Sequence, residues 1–181
     1  MGYTDEWLQI GIVDPEFLQL QYKEYERSED KNQEHYRTAA FRGYLSRSSS
    51  ISDVDIERIF RLQDDGPDVC DLRLNRIIDL IASDVLTEAQ LLSLFRYSEV
   101  HEAPVKKRYI RTVLLKQLYR EGLTDEIFRA AQNSDDSSVH LALLEHQDLV
   151  RPHLEWFVEH GANKSLRNRA KVMLRSRKFR E

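Results

Sequence analysis

The stretch from Asp135 to Leu174, DDSSVHLALLEHQDLVRPHLEWFVEHGANKSLRNRAKVML, alternates polar turns with hydrophobic segments. The polar turn DDSS precedes VHLALLEHQDL, and a second polar turn, GANKS, separates HLEWFVEH from LRNRAKVML. In these segments apolar residues recur every three or four positions, which is the spacing of one buried face of a helix. The stretch therefore predicts a short helical unit that occurs twice in succession.

A short sequence pattern that can start such a unit recurs along the chain. An apolar residue, a hydroxyl residue and a carboxylate occur together three times, as ISD from residue 51, LTE from residue 86 and LTD from residue 123. Ser52, Thr87 and Thr124 are predicted N-caps, because a hydroxyl accepts a hydrogen bond from a free amide of the first helical turn. A fourth start, LVRP from residue 149, instead carries Pro152, which a first turn tolerates.

Each start leads into a short helix, a polar break and a second helix, which we expect to begin near Val69, Val105, Val139 and Leu166. The second helices carry apolar stripes, for example Cys70, Leu74, Ile77, Ile78 and Ile81. A pair of helices cannot bury both apolar faces alone, so neighbouring pairs must stack. We predict an all-α fold, a right-handed α-solenoid of about four stacked helix pairs over residues 51–181.

The first fifty residues do not fit the repeat and are predicted to form an N-terminal helical cap over residues 1–50. Helices are expected to start at Thr4, at Asp14 with Pro15 in the first turn, and within EDKNQEHYRTAAFRGYLSR. Tyr22 and Tyr25 either pack these helices on the first repeat or face outward as interface residues. The serine run 48–50 permits a flexible linker as an alternative.

Composition limits the class of protein. Only six glycines and four prolines occur in 181 residues, of which 32% are charged, so helices are favoured over sheets. The single cysteine, Cys70, excludes an internal disulfide and is expected in the core. The start MGYTDEWLQI lacks the features of a signal peptide, and no apolar run reaches the roughly 18 residues of a membrane helix. We expect a cytoplasmic protein that does not bind membranes.

The second helices open with a valine or leucine and basic residues, as in VKKRYIRTVLLKQ, VHLALLEHQDL and LRNRAKVML, after an Asp or Asn in the turn. Over roughly residues 51–174 this pattern resembles HEAT-type repeats and the related leucine-rich-repeat-variant units. The resemblance implies a curved solenoid that binds proteins or, in some branches, nucleic acid. It implies no particular chemistry.

Residues that could support catalysis or metal binding have simpler explanations. His140, His146, His153 and His160 recur at intervals of six or seven, without the spacing of a metal motif, and are expected at the surface. Paired carboxylates, Asp64 with Asp65 and Asp135 with Asp136, fall in breaks, where they usually cap helices or face water. Phosphate-loop and nucleophile-elbow motifs are absent from the sequence. We therefore predict no catalytic residue, no metal, no cofactor and no enzymatic activity.

Charge is distributed unevenly along the chain. Residues 164–180 hold eight basic side chains and no acidic one, whereas residues 1–163 carry a net charge of −11. Such asymmetry suggests an interaction surface at one end. A second basic cluster opens the helix near residue 105. The predicted partner-binding residues are Lys107, Arg108, Arg111, Lys164, Arg167, Lys171, Arg175 and Lys178.

These features favour a non-catalytic module that binds one other protein, as an adaptor, an inhibitor or a toxin-neutralising immunity-type protein. The alternative is a nucleic-acid-binding repeat protein that uses the basic C-terminal helix. A sequence pI of about 5.9 weighs against this alternative, because dedicated nucleic-acid readers are usually basic. A third interpretation of the C-terminal helix is a solvated last face, where cations suit the helix dipole.

Overall fold

The computed structural model describes residues 1–65, 72–176 and 179, and within these ranges the regular structure is helical. The predicted all-α class is therefore confirmed, with one isolated antiparallel bridge between Tyr3 and Asp64. No helix in the described ranges is both long and apolar enough to cross a bilayer. The α-helices are α1 (Asp5–Gln9), α2 (Pro15–Arg27), α3 (Gln33–Arg47), α4 (Asp53–Arg61), α5 (Leu72–Ala82), α6 (Glu88–Ser93), α7 (Ala103–Glu121), α8 (Asp125–Gln132), α9 (Ser137–Leu144), α10 (Arg151–His160) and α11 (Lys164–Leu174).

The chain divides into two compact units, residues 1–106 and residues 107–181. The boundary predicted after residue 50 falls inside the first unit, where α3 packs against α5 and α4 also contacts α5. Ile51, directly after the serine run, is 5% exposed, and its carbonyl oxygen accepts a hydrogen bond from Gln90. The serine run therefore leads into packed structure within that unit.

The predicted helix starts are largely confirmed. The hydroxyl groups of Ser52, Thr87 and Thr124 each accept a hydrogen bond from the backbone amide three residues later, at 3.1, 3.2 and 3.3 Å. Asp14 caps α2 in the same way, at 2.7 Å, with Pro15 at the first position. Thr4 makes no capping hydrogen bond, so the prediction of a cap there was wrong. Its hydroxyl oxygen instead lies 2.5 Å from a carboxylate oxygen of Glu6 and 3.1 Å from the carbonyl oxygen of Gln63.

The second helices also lie where the sequence predicts them. α7, α9 and α11 each begin two residues before the predicted start, while Val69 and Cys70 lie outside the described residues. The apolar stripe of α11 is buried at Leu166 and Ala170, and that of α5 at Ile77 and Ile81. Arrangement of all four pairs as one solenoid stays a prediction.

The core of the first unit contains a buried ion cluster. The side chains of Asp64, Arg37 and Arg76 are 2%, 3% and 5% exposed. Asp64 accepts a hydrogen bond of 2.5 Å from Arg76, and its other oxygen lies 3.5 Å from Arg37 Nε. The guanidinium group of Arg76 lies 5.4 Å from the ring centre of Trp7, which is fully buried. This cluster joins α1, α3, α5 and the segment after α4.

Residues 1–4 lie along the segment that carries Asp64. Arg37 donates to the carbonyl oxygen of Met1 at 2.8 Å, and the Asp65 amide donates to that of Gly2 at 2.9 Å. Gly2 has a φ of +72°, and a Cβ atom there would lie 2.5 Å from the Asp65 carbonyl oxygen. Only glycine meets both requirements without strain, because L side chains rarely adopt this φ.

The second unit is built around buried residues from α7 to α11, including Phe128, Leu143, Leu154 and Phe157. His140 also lies in this core at 1% exposure, so its predicted surface position was wrong. Its Nδ1 accepts a hydrogen bond from the Ala162 amide, and its Nε2 lies 3.0 Å from the Ala131 carbonyl oxygen. A neutral ring protonated on Nε2 satisfies both groups, so His140 links the last turn of α8 to the turn before α11.

Candidate partner-binding surface

An exposed basic row runs along α11. Lys164, Lys171 and Arg175 are exposed, and positions i, i+7 and i+11 fall on nearly the same side of a helix with about 3.6 residues per turn. Among the residues that the structure describes, none provides a carboxylate within ion-pair distance of these three side chains. Lys178, the last predicted member of the row, lies outside the described residues. We call Lys164, Lys171 and Arg175 the α11 basic face.

Other basic residues of α11 bind within the second unit. Arg167 is half-buried and donates to the carbonyl oxygen of Gly161 at 2.7 Å, in the turn that precedes its own helix. Arg169 donates to Glu145, at the end of α9, at 2.8 Å. Both contacts hold α11 in place. Arg167 thus has a structural contact in addition to its predicted role in partner binding.

The basic cluster of α7 likewise contains both a solvent-exposed cation and a cation that is paired within the second unit. Lys107 is exposed and Arg108 is half-buried, whereas Arg111 makes a bidentate contact with Asp136 at 2.8 and 2.9 Å. Asp136 is 1% exposed and also caps α9 by accepting from the amides of Ser138 and Val139. Arg111 therefore connects α7 to the start of α9.

The ionisation of Asp136 reflects this environment. Burial opposes the charged form, but the hydrogen bonds from Arg111 and from the two α9 amides outweigh it. Together they hold the pKa of the Asp136 carboxyl below its ordinary value. The paired Asp135 and Asp136 thus play different parts, because Asp135 is exposed and occupies the left-handed backbone region with a φ of +45°.

The other histidines of the second unit lie at varying depth. The ring of His153 lies against that of Phe128 with a centroid distance of 4.2 Å, and its Nδ1 accepts from the Val150 amide at 3.5 Å. Burial lowers the pKa of His153, and the charge of Asp125 opposes this only in part. His160 is exposed, as predicted.

A pH dependence of stability follows from His153. Because its folded-state pKa is lowered, the unfolded chain binds more protons, so the stability contributed by the neutral ring is present above about pH 6.5 and is lost as the pH falls from there through the lowered folded-state pKa. We expect the urea midpoint to decrease between pH 8 and pH 5.5. The decrease should be smaller in His153→Gln, which keeps an acceptor for the capping amide. Identical pH profiles for the two proteins would contradict this assignment.

In the described part of the chain, no group of three or more His, Cys, Asp or Glu side chains is placed to hold a metal ion. The chemistry of the α11 basic face is that of fixed cations, which bind carboxylates or phosphates. The α11 basic face can therefore bind an anionic surface.

Two surface features were not predicted from the sequence. Val172, between Lys171 and the end of α11, is 68% exposed, and Leu141 on the neighbouring helix α9 is 37% exposed. A groove also lies between α2 and α3 in the first unit, where Leu20 is 60% exposed. The helical stripe of α2 (Phe17, Leu20, Gln21 and Glu24) was the available signal for the groove.

Comparisons with models of protein families, with curated proteins and with solved structures found no match to this chain.

Proposed function

We propose that this chain is a HEAT-like helical-repeat protein that binds one other protein, without catalysing a reaction, through the α11 basic face. The observation that carries the proposal is the contrast among the cations of one helix. Lys164, Lys171 and Arg175 are exposed and unpaired among the described residues, whereas Arg169 is paired with Glu145. Unpaired cations on one face favour association with an acidic surface.

The contacts among second helices support the repeat interpretation. Arg111 of α7 binds the residue that caps α9, and α9 packs against α11. In each case the polar break supplies the cap of the next helix, Asp136 for α9 and Asn163 for α11. Equivalent helices joined in sequence by equivalent polar turns are typical of repeat proteins.

The exposed Val172 supports a protein partner over a nucleic acid. Apolar side chains within a polar surface are buried at protein interfaces, whereas phosphate backbones are recognised mainly by charged and polar groups. The net charge of −11 over residues 1–163 also disfavours a long polyanion that extends beyond α11. A compact acidic protein surface satisfies both observations.

Capture of partners with purified protein tests the proposal. The variant Lys171→Gln/Arg175→Gln should weaken binding of a captured stoichiometric protein by about tenfold, mainly through slower, salt-sensitive association. The matched control is Arg61→Gln/Arg129→Gln, which removes the same charge from exposed positions on α4 and α8. Affinities measured by biolayer interferometry should be unchanged in the control and should fall with added salt in the unmodified protein.

Nucleic acid is the competing outcome of the same experiment. Single- and double-stranded DNA and RNA oligonucleotides are titrated at physiological salt with the three proteins. Binding of micromolar or greater strength, with a salt slope that decreases by about one for each removed contact, would replace the proposal with nucleic-acid binding. If both double variants lose the protein partner equally, the α11 basic face is not the interface.

A further inference from the structure

The groove between α2 and α3 is an open, partly apolar surface of the first unit. Its volume is about 530 Å³, and its walls include Phe17, Leu20 and Ala39. α2 buries only one side chain, that of Gln21, and leaves Leu20 60% exposed. In this 13-residue helix, an apolar residue on the side that faces the groove is therefore exposed to solvent. Such an exposed apolar surface is typical of a binding site.

The groove is held in shape by contacts along its floor. The Gln21 side-chain amide donates to the Tyr36 carbonyl oxygen at 3.0 Å, and Tyr3 donates its hydroxyl proton to the same amide group. The ring of Tyr25 meets that of Tyr36 edge to face at 5.5 Å. These contacts fix α2 on α3 and leave the groove formed before any ligand binds.

Carboxylates line one side of this groove. Glu24 faces it from α2, and Asp30 lies at its end, where it contacts His35 at 2.8 Å. The hydrogen bond from His35 lowers the pKa of Asp30, so its carboxylate remains ionised. The groove therefore combines apolar walls with negative charge, which suits a ligand that carries an apolar side chain next to cations.

The α11 basic face has this complementary chemistry. Val172 lies beside Lys171 and Arg175, and the face from Lys164 to Arg175 is roughly 16 Å long. α2 is roughly 20 Å long, so it can accommodate a helical segment of this length, and the carboxylates near its C-terminal end, Glu24 and Asp30, attract the cations of that segment. The opposite net charges of residues 1–163 and 164–180 favour the same approach over longer distances.

We propose that the α11 basic face of one copy docks in the α2–α3 groove of a second copy. This inference rests on the proposed function, because it names the chain itself as an acidic protein bound by α11. The groove and the helix are different surfaces, so a single contact between two copies leaves one groove and one helix unused, and these can bind further copies. Self-association and binding of another acidic partner would then compete for one surface.

Sedimentation velocity on the intact chain tests the inference. At low salt, the weight-average mass should rise above 21.4 kDa as protein concentration increases from about 1 to 200 µM. About 0.5 M salt should reverse the rise. The groove variant Leu20→Gln/Glu24→Gln and the helix variant Lys171→Gln/Arg175→Gln should each raise the self-dissociation constant by about tenfold. Both alter exposed residues, so circular dichroism and melting temperature should match those of the unmodified protein.

The decisive sample is an equimolar mixture of the two variants. The groove variant retains an intact α11, and the helix variant retains an intact groove, so the mixture should form a species of about twice the chain mass and no larger oligomer. A monomeric unmodified protein throughout the range, or a mixture that does not associate, would overturn self-docking. If self-docking is overturned but the helix variant still binds a different protein partner more weakly, the proposed function stands without self-docking.

Discussion

Replacement of Asp64 by alanine should lower the unfolding free energy of the first unit by about 3–5 kcal/mol. The substitution removes the carboxylate that Arg37 and Arg76 share inside the protein, where the two arginine side chains are 3% and 5% exposed. Buried cations that lose their counter-charge cannot recover hydration without opening the core. Urea unfolding followed by Trp7 fluorescence, in a Trp156→Phe background, measures the effect in the unit that contains it.

The neighbouring residue provides the control. Asp65 is exposed and uses only its backbone amide to hold Gly2, so Asp65→Ala should change stability by less than about 0.5 kcal/mol. Asp64→Asn keeps the shape and removes the charge, and it should fall between the two. A loss under about 1 kcal/mol in Asp64→Ala would show that the cluster is compensated by other groups.

Replacement of Asp136 by alanine should lower the unfolding free energy of the second unit by a similar amount, about 3–5 kcal/mol. The change removes the cap of α9 and leaves the half-buried Arg111 without its bidentate partner. Hydrogen exchange measured by mass spectrometry should show faster exchange across α9. Peptides from residues 1–65 serve as the internal reference.

Two variants separate the contributions of Asp136. Asp136→Asn keeps a side-chain acceptor for the α9 amides and loses only the ion pair, so it should cost less than Asp136→Ala. Asp135→Asn should be nearly neutral, because Asn tolerates the left-handed conformation of that exposed position. Equal losses in Asp135→Asn and Asp136→Ala would contradict the assignment.

The pH dependence supplies a further test of Asp136. Its lowered pKa means that the ionised carboxylate stabilises the folded protein above the ordinary Asp pKa near 3.8, and that this stability is lost as the pH falls through the lowered value. Asp136→Asn lacks the ionisable group. The difference in stability between the two proteins should therefore shrink in acid.

The helix starts could be predicted because their chemistry is local. A hydroxyl group such as that of Thr87 reaches an amide three residues later whatever the rest of the chain does, and Gln90 completes the reciprocal bond. Burial of the α11 stripe at Leu166 and Ala170 also follows from helical spacing. Thr4 shows the limit of this reasoning, since its hydroxyl group contacts the Glu6 carboxylate and a carbonyl group 59 residues away instead of an amide of its own helix.

The buried polar residues could not be predicted, because their partners are distant in sequence. Asp64 was expected to face water or cap a helix, yet it lies between Arg37 and Arg76. His140 was expected at the surface, yet two backbone groups 9 and 22 residues away satisfy its ring. Polar side chains enter a core only when such partners are present, and no local pattern announces them.

The basic residues of the candidate site could be predicted from the sequence, but which of them are exposed could be predicted only in part. The eight basic residues were identified by charge, but charge alone did not distinguish the exposed Lys171 from Arg111, whose partner Asp136 lies 25 residues away. The α2–α3 groove depends on how two helices pack, and the same polar sequence of α2 would suit a fully solvated helix. Tyr22 is exposed, whereas Tyr25 packs against Tyr36, although both belong to one short segment.

The docking of residues 1–4 has a consequence for the order in which the chain folds. The contact of Thr4 with Gln63 closes a loop of 59 residues, whereas the links between α7, α9 and α11 join residues only 22 to 25 positions apart. Closing a longer loop costs more chain entropy before any contact compensates it. We therefore expect the second unit to reach its native contacts early and the N-terminal segment to dock late on the first unit.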